Sequence, residues 1–302
     1  MPLLNTMPQY TLFGIDNPSY KNAEVVVLPV PYDSTTSYKA GARDGPHAII
    51  EASRNMELYS EELCCTISDL ISVRTEDELM PNVDSPEKTV EMIADEVSRI
   101  VADAKLPLIL GGEHTVAIGG IRGVGRHTRD FTVLHFDAHA DSRETFMGSR
   151  YSHACVIARA REVAKRCYSI GVRSIDADGA RLYGGAILYR KEMRAMSVQQ
   201  ATERILEHCG EAVYLTLDAD VLDPGEMPAV GTPEPDGLGF HELTQILKGV
   251  LAKRRLVGAD FTELSPIPGM HAPNYLIAKL IYLTLGYALI KRADGRATPA
   301  SL

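Results

Sequence analysis

Short hydrophobic runs rich in valine, isoleucine and leucine alternate along the chain with longer segments of helical periodicity. Several runs lack alternating polar positions, which is typical of strands covered by helices on both faces. The predicted strands are Glu24–Val30, Cys65–Leu70, Leu106–Leu110, Phe131–Phe136, Cys167–Val172, Ala186–Tyr189, Ala212–Leu217 and Leu256–Phe261. The predicted helices are Pro46–Met56, Pro86–Ala104, Thr115–Val124, Ser152–Ala164, Ser197–His208, Phe240–Ala252 and Ala272–Ile290. This alternation predicts an α/β protein with a mostly parallel sheet.

No segment has the character of a linker between domains. Proline and glycine cluster at Asp223–Gly239, but candidate site residues lie on both sides of this segment, which indicates a functional loop. We therefore expect a single domain over residues 1–302, with an N-terminal extension at 1–20 and a frayed tail at 291–302.

The composition argues against several classes of protein. The chain has 302 residues, of which 45% are hydrophobic and 24% charged, an ordinary globular balance. Its net charge of −9 argues against general nucleic-acid binding. The sequence contains no run of about 18 apolar residues, and its N-terminus does not resemble a signal peptide. Five cysteines without a CxxC pair favour a reducing cytoplasm over a disulfide framework or a thiolate zinc site.

Acidic residues and histidines follow four of the predicted strands. In open parallel sheets, ligands bind outside the carboxyl ends of the strands. The four segments are LPLILGGEHT with Glu113 and His114, FTVLHFDAHADS with Asp137, His139 and Asp141, VYLTLDADVLDP with Asp218, Asp220 and Asp223, and LVGADFTELSP with Asp260 and Glu263. Any one of these acids alone is more often a helix cap or a solvated group, so the interpretation depends on the whole set.

The spacing within two of these segments indicates a metal site. Asp137, His139 and Asp141 lie two residues apart, so an extended chain points all three the same way. Asp218 and Asp220 repeat this spacing. Four crowded carboxylates could not all stay ionised without cations, and two divalent ions would balance their charge. Carboxylate and imidazole ligands without cysteine favour manganese over zinc, and six side chains exceed the roughly three protein ligands of a catalytic zinc.

The ordered motifs resemble the ureohydrolase family, which comprises arginases, agmatinases and formiminoglutamases. The resemblance extends from about Glu24 to Ile290 and includes PYDSTTSYKAGARDGP at Pro31–Pro46, SIGVRS at Ser169–Ser174 and GTPEPDGL at Gly231–Leu238. The chain is most similar to prokaryotic agmatinases, which carry YSHA at the position of Tyr151–Ala154. The resemblance implies a three-layer α/β/α fold with a mostly parallel sheet of about eight strands.

The resemblance also implies a pair of Mn²⁺ ions and a set of catalytic residues. One ion would be held by His114, Asp137, Asp141 and Asp218, and the other by Asp137, His139, Asp218 and Asp220. A hydroxide bridging the ions would attack the guanidinium carbon, with Asp220 accepting a hydrogen bond from it. His153 is the candidate proton shuttle, and Glu263 is the candidate guanidinium anchor. Without the resemblance, His153 would be interpreted as a structural histidine and Glu263 as a capping or surface glutamate.

The expected reaction is hydrolysis of agmatine to putrescine and urea. The loop Ser142–Ser152, SRETFMGSRYS, lacks the asparagine and serine pattern with which arginases bind the amino-acid head group. N1-aminopropylagmatine, guanidinobutyrate and arginine remain alternative substrates. Arg143 and Arg150 of this loop would repel a distal amine or bind a carboxylate, although pairing with Glu144 or other acids is the more ordinary role of such arginines.

Two other classes of protein stay open as alternatives. A single-zinc deacetylase of the same fold is disfavoured by His114, Asp141 and the Asp218/Asp220 pair. A non-catalytic polyamine- or metal-binding protein is disfavoured by the presence of both His153 and Glu263. The expected partners are a small cationic guanidino substrate and further copies of the chain in a trimer or hexamer, without nucleic acid or membrane, and the expected location is the cytoplasm.

Overall fold

An eight-stranded parallel sheet forms the centre of the computed structural model, which describes the backbone of residues 9–293 and 296–299 and the side chains of residues 9–290. In chain order, the strands are β1 (Val25–Val30), β2 (Val73–Thr75), β3 (Leu106–Gly111), β4 (Thr132–Phe136), β5 (Arg166–Val172), β6 (Ile187–Tyr189), β7 (Ala212–Asp218) and β8 (Arg255–Thr262). Their spatial order is β2-β1-β3-β8-β7-β4-β5-β6, and every neighbouring pair is parallel.

Helices cover both faces of this sheet. They are α1 (Gly45–Ser53), α2 (Pro86–Ala102), α3 (Thr115–Gly125), α4 (Val156–Ala160), α5 (Ala177–Tyr183), α6 (Arg190–Met193), α7 (Val198–His208), α8 (Phe240–Leu251) and α9 (Ala272–Leu289). Helices α1 and α6–α9 share one hydrophobic core with the sheet, and α2–α4 share the other. Successive residues of a strand point to opposite faces, so Leu108 and Leu110 enter the first core and Ile109 the second. The three-layer α/β/α fold is thereby confirmed.

Seven of the predicted strands overlap strands of the sheet, and the predicted strand Cys65–Leu70 is wrong. Cys65–Thr66 pairs only with Tyr59–Ser60, and Ile67–Asp69 forms a 3₁₀ turn. Ile67 is buried in the core that includes α9, and its N–H donates to the hydroxyl of Tyr282, 2.9 Å away. The hydrophobic residues of this segment therefore pack on a helix, and the sheet strand is β2.

Two helices were not predicted, and one is shorter than expected. In place of a helix over Ser152–Ala164, the chain forms a 3₁₀ turn at His153–Cys155 followed by α4. Helices α5 and α6 were missed because both are short and lack a hydrophobic repeat. The start of α5 does carry a sequence signal, because aspartate is a preferred N-cap residue. In the structure, the side chain of Asp176 accepts a hydrogen bond from the backbone N–H of Gly179.

The two chain ends are described only in part. Leu12 and Phe13 of the expected N-terminal extension are buried in the core, whereas residues 1–8 lie outside the described residues. In the tail expected to be frayed, Ile290–Ala293 pairs with Arg296–Pro299 as antiparallel strands. Residues 294–295 and 300–302 lie outside the described residues. Of the helices in the described ranges, none has the length and hydrophobicity needed to cross a membrane.

Gly112, directly after β3, allows two loops to approach closely, and its replacement tests this packing. A Cβ atom there would lie 2.0 Å from the carbonyl oxygen of Tyr32, and the carbonyl of Gly112 accepts a hydrogen bond from the N–H of Glu263 at 2.7 Å. We expect Gly112→Ala to lower the free energy of unfolding by about 1–3 kcal/mol, because backbone must move. Chemical denaturation measures this, with Gly185→Ala as control because its Cβ would meet nothing within 4 Å. Equal stability of the two variants would contradict the close approach.

Candidate metal centre

Strand order brings the acidic segments predicted from the sequence to one place. Strands β3, β8, β7 and β4 are consecutive neighbours in the sheet, and all of them end at the same edge because they are parallel. A cavity of about 350 Å³ opens at this edge and is lined by His139, Asp141, His153, Asp218, Asp220 and Glu263. His114 and Asp137 are fully buried and contact these residues. All eight predicted site residues therefore converge.

The side chain of His114 faces three carboxylates at once. Its Nδ1 lies 3.1 Å from Oδ2 of Asp137, 3.2 Å from Oδ2 of Asp141 and 3.3 Å from Oδ2 of Asp218. Despite these short distances, this buried nitrogen has no partner with hydrogen-bond geometry. One nitrogen and three oxygens from three chain segments thus surround a common point, which is the arrangement expected around a cation.

The opposite edge of the same ring fixes its tautomer. Nε2 of His114 lies 2.8 Å from Oγ1 of Thr216, and the Thr216 hydroxyl donates to Oδ1 of Asp260 at 2.7 Å. Since that hydroxyl has only one proton, it accepts a hydrogen bond from Nε2–H, which leaves Nδ1 as the ring atom that faces the carboxylates. Burial lowers the pKa of His114, but Asp137, Asp141 and Asp218 outweigh it and raise this pKa well above its usual value, so a cation binding at Nδ1 would displace a proton. An imidazole oriented this way is suited to bind a metal.

Thr216 and Asp260 were not assigned a role from the sequence. A signal was present, because Thr216 precedes Asp218 by two residues and so shares its side of β7. Asp260 lies near the end of the predicted strand Leu256–Phe261, but its partner cannot be identified without the pairing of β7 and β8, which sets Asp260 opposite Thr216.

A second group of ligands adjoins the first. Nδ1 of His139 lies 2.8 Å from Oδ2 of Asp220 and 3.5 Å from Oδ1 of Asp137. The two oxygens of Asp137 therefore face different histidines. Asp220 is held in place by the N–H of Ala138, which donates to its Oδ1 at 3.0 Å. This arrangement can place two cations side by side, with Asp137 between them.

Charge repulsion makes the cluster receptive to cations. Burial raises the pKa of Asp218 well above its ordinary value, and the neighbouring charges of Asp220 and Asp137 raise it further. Burial and Asp137 likewise raise the pKa of Asp220. Burial acts the same way on Asp137, but His135 and His114 outweigh it and hold the pKa of Asp137 well below its usual range. Divalent cations would relieve this repulsion, so the donor set fits the predicted metal pair.

His153 lies at the cavity wall between two hydroxyl groups. Its Nδ1 is 3.3 Å from Oγ1 of Thr35, and its Nε2 is 3.3 Å from Oγ of Ser37. The ring of Phe146 packs edge-on against it, with 5.6 Å between centroids. Burial lowers the pKa of His153, so the imidazole is neutral at neutral pH. Thr35 and Ser37 had no predicted role, because their contact with His153 spans more than a hundred residues of sequence.

Glu263 closes the other side of the cavity. One of its oxygens, Oε1, accepts a hydrogen bond from the backbone N–H of His114 at 2.7 Å. Burial raises its pKa to about 8, with the negative charge of Glu113 adding to the effect. Glu263 and Asp141 both have positive φ, 64° and 43°, a conformation that costs roughly 1–3 kcal/mol for a non-glycine residue and persists only where the surroundings impose it.

The two arginines of the entrance loop are paired with acids. Arg143 lines the cavity, with Nε 3.3 Å from Oδ2 of Asp176 and its guanidinium over the ring of Phe146. Arg150 pairs with Glu162 at 2.8 Å. Glu144 pairs instead with the buried Arg159, so it is the partner of neither entrance arginine. The charge of Arg143 is therefore offset by a carboxylate at the mouth of the cavity.

Comparison with known proteins places these features in context. The model of the arginase family matches residues 23–286. An N(1)-aminopropylagmatine ureohydrolase from Synechocystis is 36% identical over 277 residues, which cover 89% of this chain and 90% of that protein. An agmatinase from Pyrococcus horikoshii is 31% identical over 281 residues, covering 92% and 97%. The crystal structure of agmatine ureohydrolase from Thermoplasma volcanium has a TM-score of 0.79 at 29% identity, covering 90% of this chain and 92% of that chain.

Asp218→Asn tests whether the cluster binds metal. The substitution removes a charge from a carboxylate that contacts His114 and accepts the N–H of Asp220, so we expect loss of bound Mn²⁺ with the fold retained. Metal content after equilibrium dialysis and circular dichroism measure the two effects. Asp95→Asn is the matched control, because this aspartate lies on the exposed side of α2. Full metal content in Asp218→Asn would exclude Asp218 as a ligand.

Proposed function

The chain belongs to the arginase family, and we propose that it hydrolyses the guanidinium group of agmatine or of N1-aminopropylagmatine and releases urea. The observation that carries the proposal is the convergence of His114 Nδ1 with three carboxylates beneath a cavity lined by His153 and Glu263. A cation-binding floor, an acid that can bind a guanidinium and an imidazole that can move a proton are the three groups this reaction needs.

We assign the two predicted ligand sets to two Mn²⁺ ions. His114, Asp137, Asp141 and Asp218 would hold one ion, and Asp137, His139, Asp218 and Asp220 the other. When bound, such a pair supplies hydroxide at neutral pH. Asp220 also lines the cavity, and its carboxylate is placed to accept a hydrogen bond from the attacking group and so to keep it aimed.

Glu263 would bind and orient the guanidinium. Because Oε1 already accepts the N–H of His114, Oε2 is left to receive the guanidinium N–H groups. A bound guanidinium favours the ionised carboxylate, which offsets the effect of burial on the pKa of Glu263. The resulting charge-assisted hydrogen bond fixes the face of the guanidinium carbon that is attacked.

His153 would deliver a proton to the departing amine. The amine leaves only as a neutral molecule, so a proton must reach its nitrogen during bond cleavage. Contacts with Thr35 and Ser37 at the two ring nitrogens hold the imidazole at the cavity wall. The neutral form of His153 accepts a proton from the attacking group and then returns it to the leaving nitrogen.

The mouth of the cavity would accept the amine end of the substrate. Asp176 offsets the charge of Arg143, so a distal ammonium group meets little net repulsion there. The ring of Phe146 lines the same region and can contact the methylene chain. The 36% identity to an N(1)-aminopropylagmatine ureohydrolase favours the longer substrate as the second candidate beside agmatine.

A urea-release assay with Mn²⁺ tests the proposed substrate class. Agmatine, N1-aminopropylagmatine, guanidinobutyrate and arginine are compared at equal concentration. We expect the two amines to give the highest kcat/KM, because Arg143 is already paired with Asp176 and leaves no free cation at the mouth to bind the carboxylate of guanidinobutyrate or arginine. Faster hydrolysis of arginine or guanidinobutyrate would contradict the assignment, and absence of urea from all four would exclude the reaction.

Glu263→Gln separates substrate binding from metal binding. Glutamine preserves shape but lacks the charge, so we expect both ions to remain while kcat/KM falls about 30-fold or more, the range for loss of a buried charged partner. Metal analysis and steady-state kinetics measure these effects, with the exposed Glu211→Gln as control. Near-normal kinetics would remove Glu263 from the site.

A further inference from the structure

The side chain of Arg173, one residue beyond β5, contacts backbone carbonyls on several loops. Its shortest hydrogen bonds run from Nη2 to Asp220 O at 2.7 Å, from Nη2 to Glu234 O at 2.8 Å and from Nε to Pro235 O at 2.9 Å. Longer contacts reach the carbonyls of Gly171, Val221 and Leu222. Among the described residues, no carboxylate oxygen lies within 4 Å of this guanidinium.

This pattern differs from the usual role of a partly buried arginine. Guanidinium groups commonly form paired hydrogen bonds with a carboxylate. The Nε, Nη1 and Nη2 atoms of Arg173 instead all donate to backbone carbonyl oxygens. The carbonyls of Asp220 and Val221 belong to the 3₁₀ turn after β7, that of Leu222 follows the turn directly, and those of residues 234–235 belong to the proline-rich loop beyond it. Arg173 therefore adds side-chain hydrogen bonds between two segments whose backbones also pair at Leu222 and Leu238, where the N–H of Leu238 donates to the carbonyl of Val221 at 2.9 Å.

The backbone of Arg173 acts on the same part of the site. Its N–H donates to the carbonyl of Ala138 at 2.8 Å, and the N–H of Ala138 donates to Oδ1 of Asp220 at 3.0 Å. Asp220 is thus restrained at its carbonyl by the guanidinium and at its carboxylate through Ala138. No hydrogen bond in the described part of the chain joins Arg173 to His114 or Asp141.

We infer that Arg173 is a positioning residue for one half of the metal centre, the half formed by His139 and Asp220. The inference rests on the proposed two-ion function. Asp220 is assigned to one ion only. Loss of the hydrogen bond from Arg173 to its carbonyl should therefore weaken the binding of that ion and leave unchanged the binding of the ion beside His114 and Asp141. Mutation of a residue that orients a metal ligand typically lowers the metal affinity by about 10- to 100-fold.

The test uses Mn²⁺ alone and the variant Arg173→Gln. Stoichiometry and affinity come from equilibrium dialysis, and electron paramagnetic resonance distinguishes a coupled pair of ions from an isolated one. We expect the wild type to bind two ions as a coupled pair. Arg173→Gln should keep one ion at near wild-type affinity and bind the other about 10- to 100-fold more weakly. Arg173→Lys, which retains three donors, should recover part of the lost affinity.

Arg190→Gln alters a similarly enclosed arginine that pairs with Glu242 away from the cavity, and it should bind both ions normally. Unchanged binding by Arg173→Gln, or a parallel loss of both ions, would overturn the inference. If Arg173→Gln does not fold, Arg173→Lys is judged alone by the same criterion. A wild type that binds fewer than two ions would instead refute the proposed function.

Discussion

Repulsion between buried carboxylates is the constraint around which this molecule is organised. Asp137, Asp218 and Asp220 are almost entirely removed from solvent. Burial and the neighbouring negative charges raise the pKa values of Asp218 and Asp220, so ionisation of all three at once is unfavourable in the protein alone. A chain optimised only for stability would avoid such a cluster, since unpaired buried charge is strongly destabilising. The cluster is understandable if folding prepares it for cations that supply the missing positive charge.

Several features of the fold hold the carboxylates against that repulsion. The parallel sheet fixes the strand ends from which they project, and peptide N–H groups bind their oxygens, as Ala138 does for Asp220. The Thr216–Asp260 pair fixes the ring of His114 from behind. The left-handed backbone at Asp141 and Glu263 shows that local conformational preference also yields to the geometry of the site. The fold therefore has lower conformational stability than it could have, and it holds the metal-binding side chains in place before a cation arrives.

The sequence predicted which side chains converge more completely than it predicted the individual strands and helices. Ligand spacing is a local property, so the sequence alone indicates that Asp137, His139 and Asp141 act together. Because ligands bind at the carboxyl ends of the strands in a parallel sheet, Asp218 could be assigned to the same place. By contrast, β2 is three residues long, and no periodicity can identify so short a strand. Hydrogen bonds such as Thr35 to His153 depend on how distant loops meet, and one sequence contains no record of that contact.

Substrate choice follows from a different part of the structure than the chemistry does. In the proposed reaction, the residues at the floor of the cavity would bind the guanidinium, which agmatine, N1-aminopropylagmatine, guanidinobutyrate and arginine all share. Discrimination therefore has to arise at the mouth, where Asp176 and Arg143 neutralise each other. A neutralised pair offers no free cation to a substrate carboxylate, and among the amines it leaves chain length and hydrocarbon contact, for example with Phe146, as the main differences in binding. A methylene contact is worth little compared with a buried charge, so the proposed function is compatible with an enzyme that accepts guanidino amines of more than one length.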